Sequence, residues 1–123
     1  MPIVDLELVT AASAAEALSA DGLRDLADSL GEIFASPPQG TWVRVRCLDP
    51  IHYAENARDQ PVFPVFVTVL KSRVPDPEVL AAEMRRVAAA VAAALARPVE
   101  NVHVLYQPQA IGRIGFGGEL LKE

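Results

Sequence analysis

The sequence predicts an α+β fold: two tandem βαβ units forming one four-stranded sheet with two helices on one face. Three patterns point there. Four short stretches alternate or run apolar as strands do, two longer ones repeat apolar residues at helical spacing, and the order strand–helix–strand occurs twice. A length of 123 residues suits one domain, and a hydrophobic content of 51% can fill its core. The chain is therefore expected to be a single domain over 1–123, with a first unit over 2–49, a connector over 50–63 and a second unit over 64–123.

The first strand is Pro2 to Val9, where Val4, Leu6 and Leu8 face one way and Asp5 and Glu7 the other. Leu23, Leu26, Leu30, Ile33 and Phe34 then make a helical stripe, with Ser19 or Asp21 as its N-cap. Ala11 to Ala20 reads either as loop or as an early helical turn. Pro37-Pro38-Gln39-Gly40 stops the helix. Thr41 to Leu48 is the second strand, with Val43 and Val45 alternating against Arg44 and Arg46. Asp49 to Phe63 is largely polar and broken by Pro50 and Pro61, as a connector is.

The pattern then restarts. Val65 to Leu70 is almost continuously apolar, the mark of a strand covered on both faces. Asp76-Pro77 opens a second helix with an acidic N-cap followed by a first-turn proline. Leu80, Met84, Val87, Val91 and Leu95 carry its stripe until Arg97-Pro98. Asn101 to Tyr106 is the fourth strand, with Tyr106 on the face of Val102 and Val104, packed under a helix. Gly112 to Gly118 reads as a glycine-rich hairpin or turn; its spacing, with no helix after it, does not fit a phosphate loop. Right-handed crossovers put both helices on one sheet face. The other face then carries Ile3, Val9, Asp5, Glu7, Arg44, Arg46 and His103, a mixed surface that assembly would cover.

Sixteen acidic against eleven basic residues, a net charge of −5, argue against a nucleic-acid partner. The one cysteine, Cys47, excludes an internal disulfide and multi-cysteine metal sites, fits a reducing compartment and reads as a small buried hydrophobe. His52 lies in the connector and His103 reads as a packed or interface side chain, so no metal set is visible. Trp42 reads as core or interface packing. No apolar run approaches the roughly 20 residues that cross a bilayer, and no signal peptide is visible, so no membrane partner and a cytoplasmic location are expected.

Pro2-Ile3-Val4 after the first methionine, two βαβ units and Gly115-Phe116-Gly117-Gly118-Glu119-Leu120 near the end together resemble the tautomerase superfamily. The second half resembles the short 4-oxalocrotonate tautomerase chain along nearly its whole length, through Val67-Thr68-Val69-Leu70, Arg73, Arg97-Pro98 and Val102-His103-Val104. The first half resembles it more loosely, through the Pro2 strand and Trp42-Val43-Arg44-Val45. The resemblance implies a fused, two-unit member assembling as a homotrimer. It also implies cofactor-independent isomerase chemistry on a small carboxylate substrate, a 2-hydroxy-dienoate or an arylpyruvate-like acid.

Under that resemblance Pro2, freed by removal of Met1, is the general base and acid. A secondary amine in an apolar pocket titrates below an ordinary α-amino group, near the operating pH. Read from the residues alone, Pro2 is also a normal strand-start proline. Arg44 is either a carboxylate clamp or a partner for Asp5 or Glu7 across the strands, and the resemblance favours the clamp; Arg46 suits the ion pair. Arg73 stands where the short family member carries its carboxylate-binding arginine, and Lys71 two residues earlier completes a cationic rim, a pairing similar to that of the cis-3-chloroacrylic acid dehalogenases. Ile114 aligns with the family's hairpin phenylalanine, with Phe116 two positions on, and both are expected to shape the pocket.

The departures imply one site per chain. No arginine stands near Ala12, the first-half position matching Arg73, and His103 replaces the second-half counterpart of Arg44. Phe63 or Pro64 stands where a second proline would be, but its nitrogen is acylated. Two other functions compete. A haloacrylate dehalogenase or decarboxylase needs a further water-activating acid, and Leu23 to Ser36 lacks the dehalogenases' helix histidine. A non-catalytic oligomeric binding module fits the same fold.

Overall fold

The computed structural model describes residues 2–123, and Met1 lies outside them. The chain runs β1 (Ile3–Val9), α1 (Ala14–Ala17), α2 (Ala20–Ile33), β2 (Trp42–Leu48), β3 (Val65–Leu70), α3 (Pro77–Leu95), β4 (Val102–Tyr106) and a terminal hairpin, β5 (Gly115–Phe116) and β6 (Glu119–Leu120). The sheet order is β2-β1-β3-β4. Strands β1 and β2 are parallel, as are β3 and β4, while the central β1–β3 pair is antiparallel. The two βαβ units thus meet strand to strand and run in opposite directions. The expected α+β architecture holds.

Alternation builds the core. Val4, Leu6 and Leu8 of β1 and Val65, Val67 and Val69 of β3 are buried under Leu26 and Leu30 of α2 and Val87 and Val91 of α3. Tyr106 packs against this core, as its parity with Val102 and Val104 requires. Ser19 caps α2 by accepting the Gly22 N–H at 3.0 Å, which settles the choice between Ser19 and Asp21. The stretch from Ala11 to Ala20 contains the single-turn helix α1, capped by Ser13.

Both long helices end alike. Ala35 and Ala96 take the left-handed conformation, each with φ of 52°. The Ser36 N–H then reaches back to the Gly31 carbonyl at 2.8 Å, and the Arg97 N–H to that of Ala92 at 3.0 Å. That six-to-one bond is the usual helix-terminating motif, and the prolines beyond it only prevent resumption. In the hairpin, Gly117 and Gly118 both have positive φ, as a two-residue turn matched to strand twist demands.

Some expectations are corrected. Thr41 and Asn101 fall just outside their strands. Asp76 occupies the N-cap of α3, but its side chain makes no capping bond. Strand β3 is not covered on both faces: Phe66, Thr68 and Leu70 are only half-buried, because no second layer crosses that side. Only part of the connector approaches it, with Tyr53 tilted against Phe66 at 5.8 Å and Phe66 against His103 at 5.7 Å. Trp42, 50% exposed, is outside the core, and Cys47 is half-buried at its margin.

Candidate active site

Pro2 precedes the first residue of β1, where a missing N–H costs no ladder bond. Its carbonyl accepts the Trp42 N–H at 3.0 Å, which ties the start of β1 to β2. Parity with Val4 turns the ring to the helix side, where it is buried. The antiparallel register pairs Ile3 with Leu70, so Pro2 lies beside the chain leaving β3. Three element ends therefore converge: the start of β1, the end of α2 and the end of β3. Between them is a cavity of about 140 Å³, walled by Pro2, Phe34, Ser36, Lys71, Ser72 and Arg73.

The two cations of this cavity differ. The Lys71 ammonium donates to both carboxylate oxygens of Glu83 in α3, at 3.0 and 3.2 Å, and lies 5.2 Å from the Phe34 ring centre. Lys71 and Glu83 side chains are 18% and 11% exposed, so their charges are shielded from water and compensate each other. The Tyr106 hydroxyl completes the cluster by donating to Glu83 Oε2 at 2.5 Å. Burial first, and then that bond to a carboxylate, push the Tyr106 phenol far above its ordinary range. Arg73 is exposed at the cavity and has no ion-pair partner among the described residues.

Arg44 lies elsewhere. The β1–β2 register sets it opposite Asp5, on the sheet face away from Pro2. Its Nε and Nη2 donate to the two Asp5 oxygens at 2.5 and 2.9 Å, the cross-strand pairing that the residues alone allowed. Arg46 faces Glu7 at 3.6 Å in the same way. Arg44 and Ile114 share a hollow of about 420 Å³ on this open face, with Ile3 and Thr68. Phe116 meets Trp42 edge-to-face at 5.4 Å. Within one chain, then, Pro2, Lys71 and Arg73 come together, and Arg44, Ile114 and Phe116 gather on the other side of the sheet.

The corresponding end of the second unit is closed. Pro64 is fully buried, and Arg97 Nη1 donates to the Phe63 carbonyl at 2.5 Å. His103 is exposed on the open face. Among the described residues no group of three or more His, Cys, Asp or Glu side chains could hold a metal ion. Sequence reasoning missed Glu83, Ser36 and Ser72, and it read Phe34 only as part of the apolar stripe. The one available signal for Glu83 was its helical spacing, three residues after Leu80 and four before Val87, which sets it on the α3 face turned to the sheet.

No family model and no curated protein matches the chain. Solved structures do. The macrophage migration inhibitory factor of Trichinella spiralis superposes with a TM-score of 0.77 at 14% identity, covering 96% of this chain and 98% of its own. A fused 4-OT solved as a symmetric trimer gives 0.77 at 16% identity, covering 97% and 94%. Pt0534, solved after inactivation by 2-oxo-3-pentynoate, gives 0.76 at 16% identity, covering 97% and 95%. The chain has the fold of these proteins from end to end. No helix of the described residues is long and apolar enough to cross a membrane.

Proposed function

We propose that this chain is a tautomerase-superfamily enzyme, a cofactor-independent keto–enol tautomerase of small 2-hydroxy-dienoate or arylpyruvate-like acids, built as one domain over 1–123. The observation that carries the reading is the buried Pro2 ring in a cavity where, among the described residues, Arg73 is the one side-chain cation without an ion-pair partner. Likeness of fold to fused 4-OT and to Pt0534 supports it. Once Met1 is removed, the Pro2 nitrogen is a secondary amine, and burial beside the cationic Arg73 disfavours its charged form, leaving it free to act as a base. Arg73 holds the substrate carboxylate, for which a planar guanidinium has the matching donors. Pro2 takes the enol O–H proton and delivers it to carbon, the far carbon of a dienol or the adjacent carbon of an arylpyruvate enol; one O–H bond breaks, one C–H bond forms, and the enzyme ends unchanged.

A homotrimer suits the half-covered sheet face, and a fused 4-OT of this fold was solved as a symmetric trimer. In that assembly Arg44, Ile114 and Phe116 act on a neighbouring copy's cavity, with Arg44 offering the donors that Asp5 leaves unused. Hydration chemistry is disfavoured. Glu83, the carboxylate bonded to the cavity's Lys71, has its oxygens engaged by Lys71 and Tyr106 and is poorly placed to activate water.

Processed protein, with Met1 absent by intact mass, is expected to accelerate ketonisation of such enols and to gain one 2-oxo-3-pentynoate adduct at Pro2. Pro2→Ala should lose about 10²–10⁴-fold in rate, the usual contribution of a positioned acid–base group. Incubation with a 3-haloacrylate should release no halide. An unlabelled Pro2, or an unchanged rate in Pro2→Ala, would overturn the reading.

A further inference from the structure

We infer that Glu83 sets the charge this cavity accepts, and that its ligands are monocarboxylates rather than dicarboxylates. The inference deepens the proposed function by naming the substrate class of the same site, and it rests on that reading for the site's location and for an uncharged Pro2 amine.

The argument is a charge count around one cavity. Among the described residues two side-chain cations wall it, Lys71 and Arg73. Lys71 is neutralised where it stands, because both oxygens of Glu83 lie within hydrogen-bond distance of its ammonium and neither side chain is as much as one-fifth exposed. A charge pair withdrawn from water is screened little, so the compensation is felt throughout the cavity. The pair is held from two further sides, by the Phe34 ring beneath the ammonium and by the Tyr106 hydroxyl on Glu83. Arg73 remains as one unopposed positive charge. Arg44 adds nothing to the sum wherever its face is applied, since it carries Asp5 with it through two hydrogen bonds.

One net positive charge matches one carboxylate. A second carboxylate brought into a cavity of about 140 Å³ would surrender its hydration and meet a cation already saturated by Glu83. Glu83 is here a positioning residue: it contacts Lys71 and Tyr106 and acts on ligand choice through the charge it cancels. The discrimination works against the doubly charged ligand, a repulsive device of the kind that specificity commonly needs.

Sorbate and muconate provide the test, being linear six-carbon dienes that differ in one terminal group, a methyl against a second carboxylate. Both are dead-end ligands, so their binding needs no turnover. Titration calorimetry, with amide shifts of Ser72 and Arg73 as locators, should show the wild-type protein preferring sorbate. Glu83→Gln keeps a hydrogen-bond acceptor for Tyr106 while freeing the Lys71 charge, and should move the sorbate-to-muconate preference toward muconate by about tenfold or more. The double variant Lys71→Met/Glu83→Gln has the wild-type net charge and should return to sorbate. Melting curves would verify that each variant is folded.

A wild-type preference for muconate would overturn the inference. So would a Glu83→Gln ratio equal to wild type, a double variant that keeps the Glu83→Gln preference, or binding of neither acid at millimolar concentration. These outcomes are separate from failure of the tautomerase reading, which shows instead as a Pro2 that 2-oxo-3-pentynoate does not label.

Discussion

Asp5 and Arg44 show how strand register decides a residue's part. The same guanidinium can clamp a substrate carboxylate or bind one from its own chain, and the direct Asp5–Arg44 pairing of β1 and β2 chooses the second within a single copy. The hydrogen bond from Arg44 holds the Asp5 carboxyl below its ordinary value, against a smaller opposing effect of burial. A depressed carboxyl stabilises the fold fully above about pH 3.9, the unfolded value, and that contribution is lost as pH falls through the lower folded value. Asp5→Asn is therefore expected to melt below wild type at pH 6, with the gap closing under strongly acid conditions. A series of melting curves from neutral to strongly acid pH measures this, and a gap independent of pH would contradict it. Lys71 and Arg73 teach the same lesson two residues apart. Both were legible as a basic rim, but the carboxylate that silences Lys71 is supplied by α3, twelve residues further on, and no local pattern announces that pairing.

At the scale of elements, nearly everything that alternates or repeats was legible. Strands and long helices sit where Val4-Leu6-Leu8, Leu26-Leu30 and Val87-Val91 put them, because burying those side chains at fixed periods leaves little choice. What was not legible lies at ends. The prolines after each helix announce a stop, yet the actual terminators are Ala35 and Ala96, each two residues earlier, in a conformation that alanine adopts reluctantly. Glycine is the ordinary choice at such a cap. Ala96→Gly should consequently raise stability. Relief of roughly 1–2 kcal/mol of left-handed strain exceeds the roughly 0.4–1 kcal/mol that glycine adds to the entropy of the unfolded chain. Urea denaturation gives the sign directly, and a destabilised Ala96→Gly would mean that the Ala96 methyl contributes packing of similar size. Ala35 walls off the Pro2 cavity, so Ala96, remote from it, is the cleaner position for the comparison.

The whole molecule leaves one sheet face incompletely covered, and this is where a single chain's sequence is least informative. The alternation that marks Trp42, Arg44, His103 and Leu105 as facing away from the helices is visible, but what lies against them is not written in the chain's own contacts. Leu105 is 63% exposed and Trp42 50%, apolar area that a lone chain leaves in water and that the proposed homotrimer would bury. Leu105 pairs in register with Thr68 of β3, placing it on that face and remote from the Pro2 cavity. Leu105→Glu would set a carboxylate into any such interface at a cost that a small interface cannot absorb, while leaving the core of the single chain intact. Sedimentation should then show the wild type at three times the mass of one chain and the variant at one. The wild-type melting temperature should rise with concentration, since assembly favours the folded state by mass action, and that of Leu105→Glu should not. Activity should fall when assembly is lost, because the proposed trimer brings Arg44 of one copy to the Pro2 cavity of another. A wild type that sediments as one chain would remove the trimer. A Leu105→Glu monomer as active as wild type would show instead that Pro2 and Arg73 suffice without a neighbour.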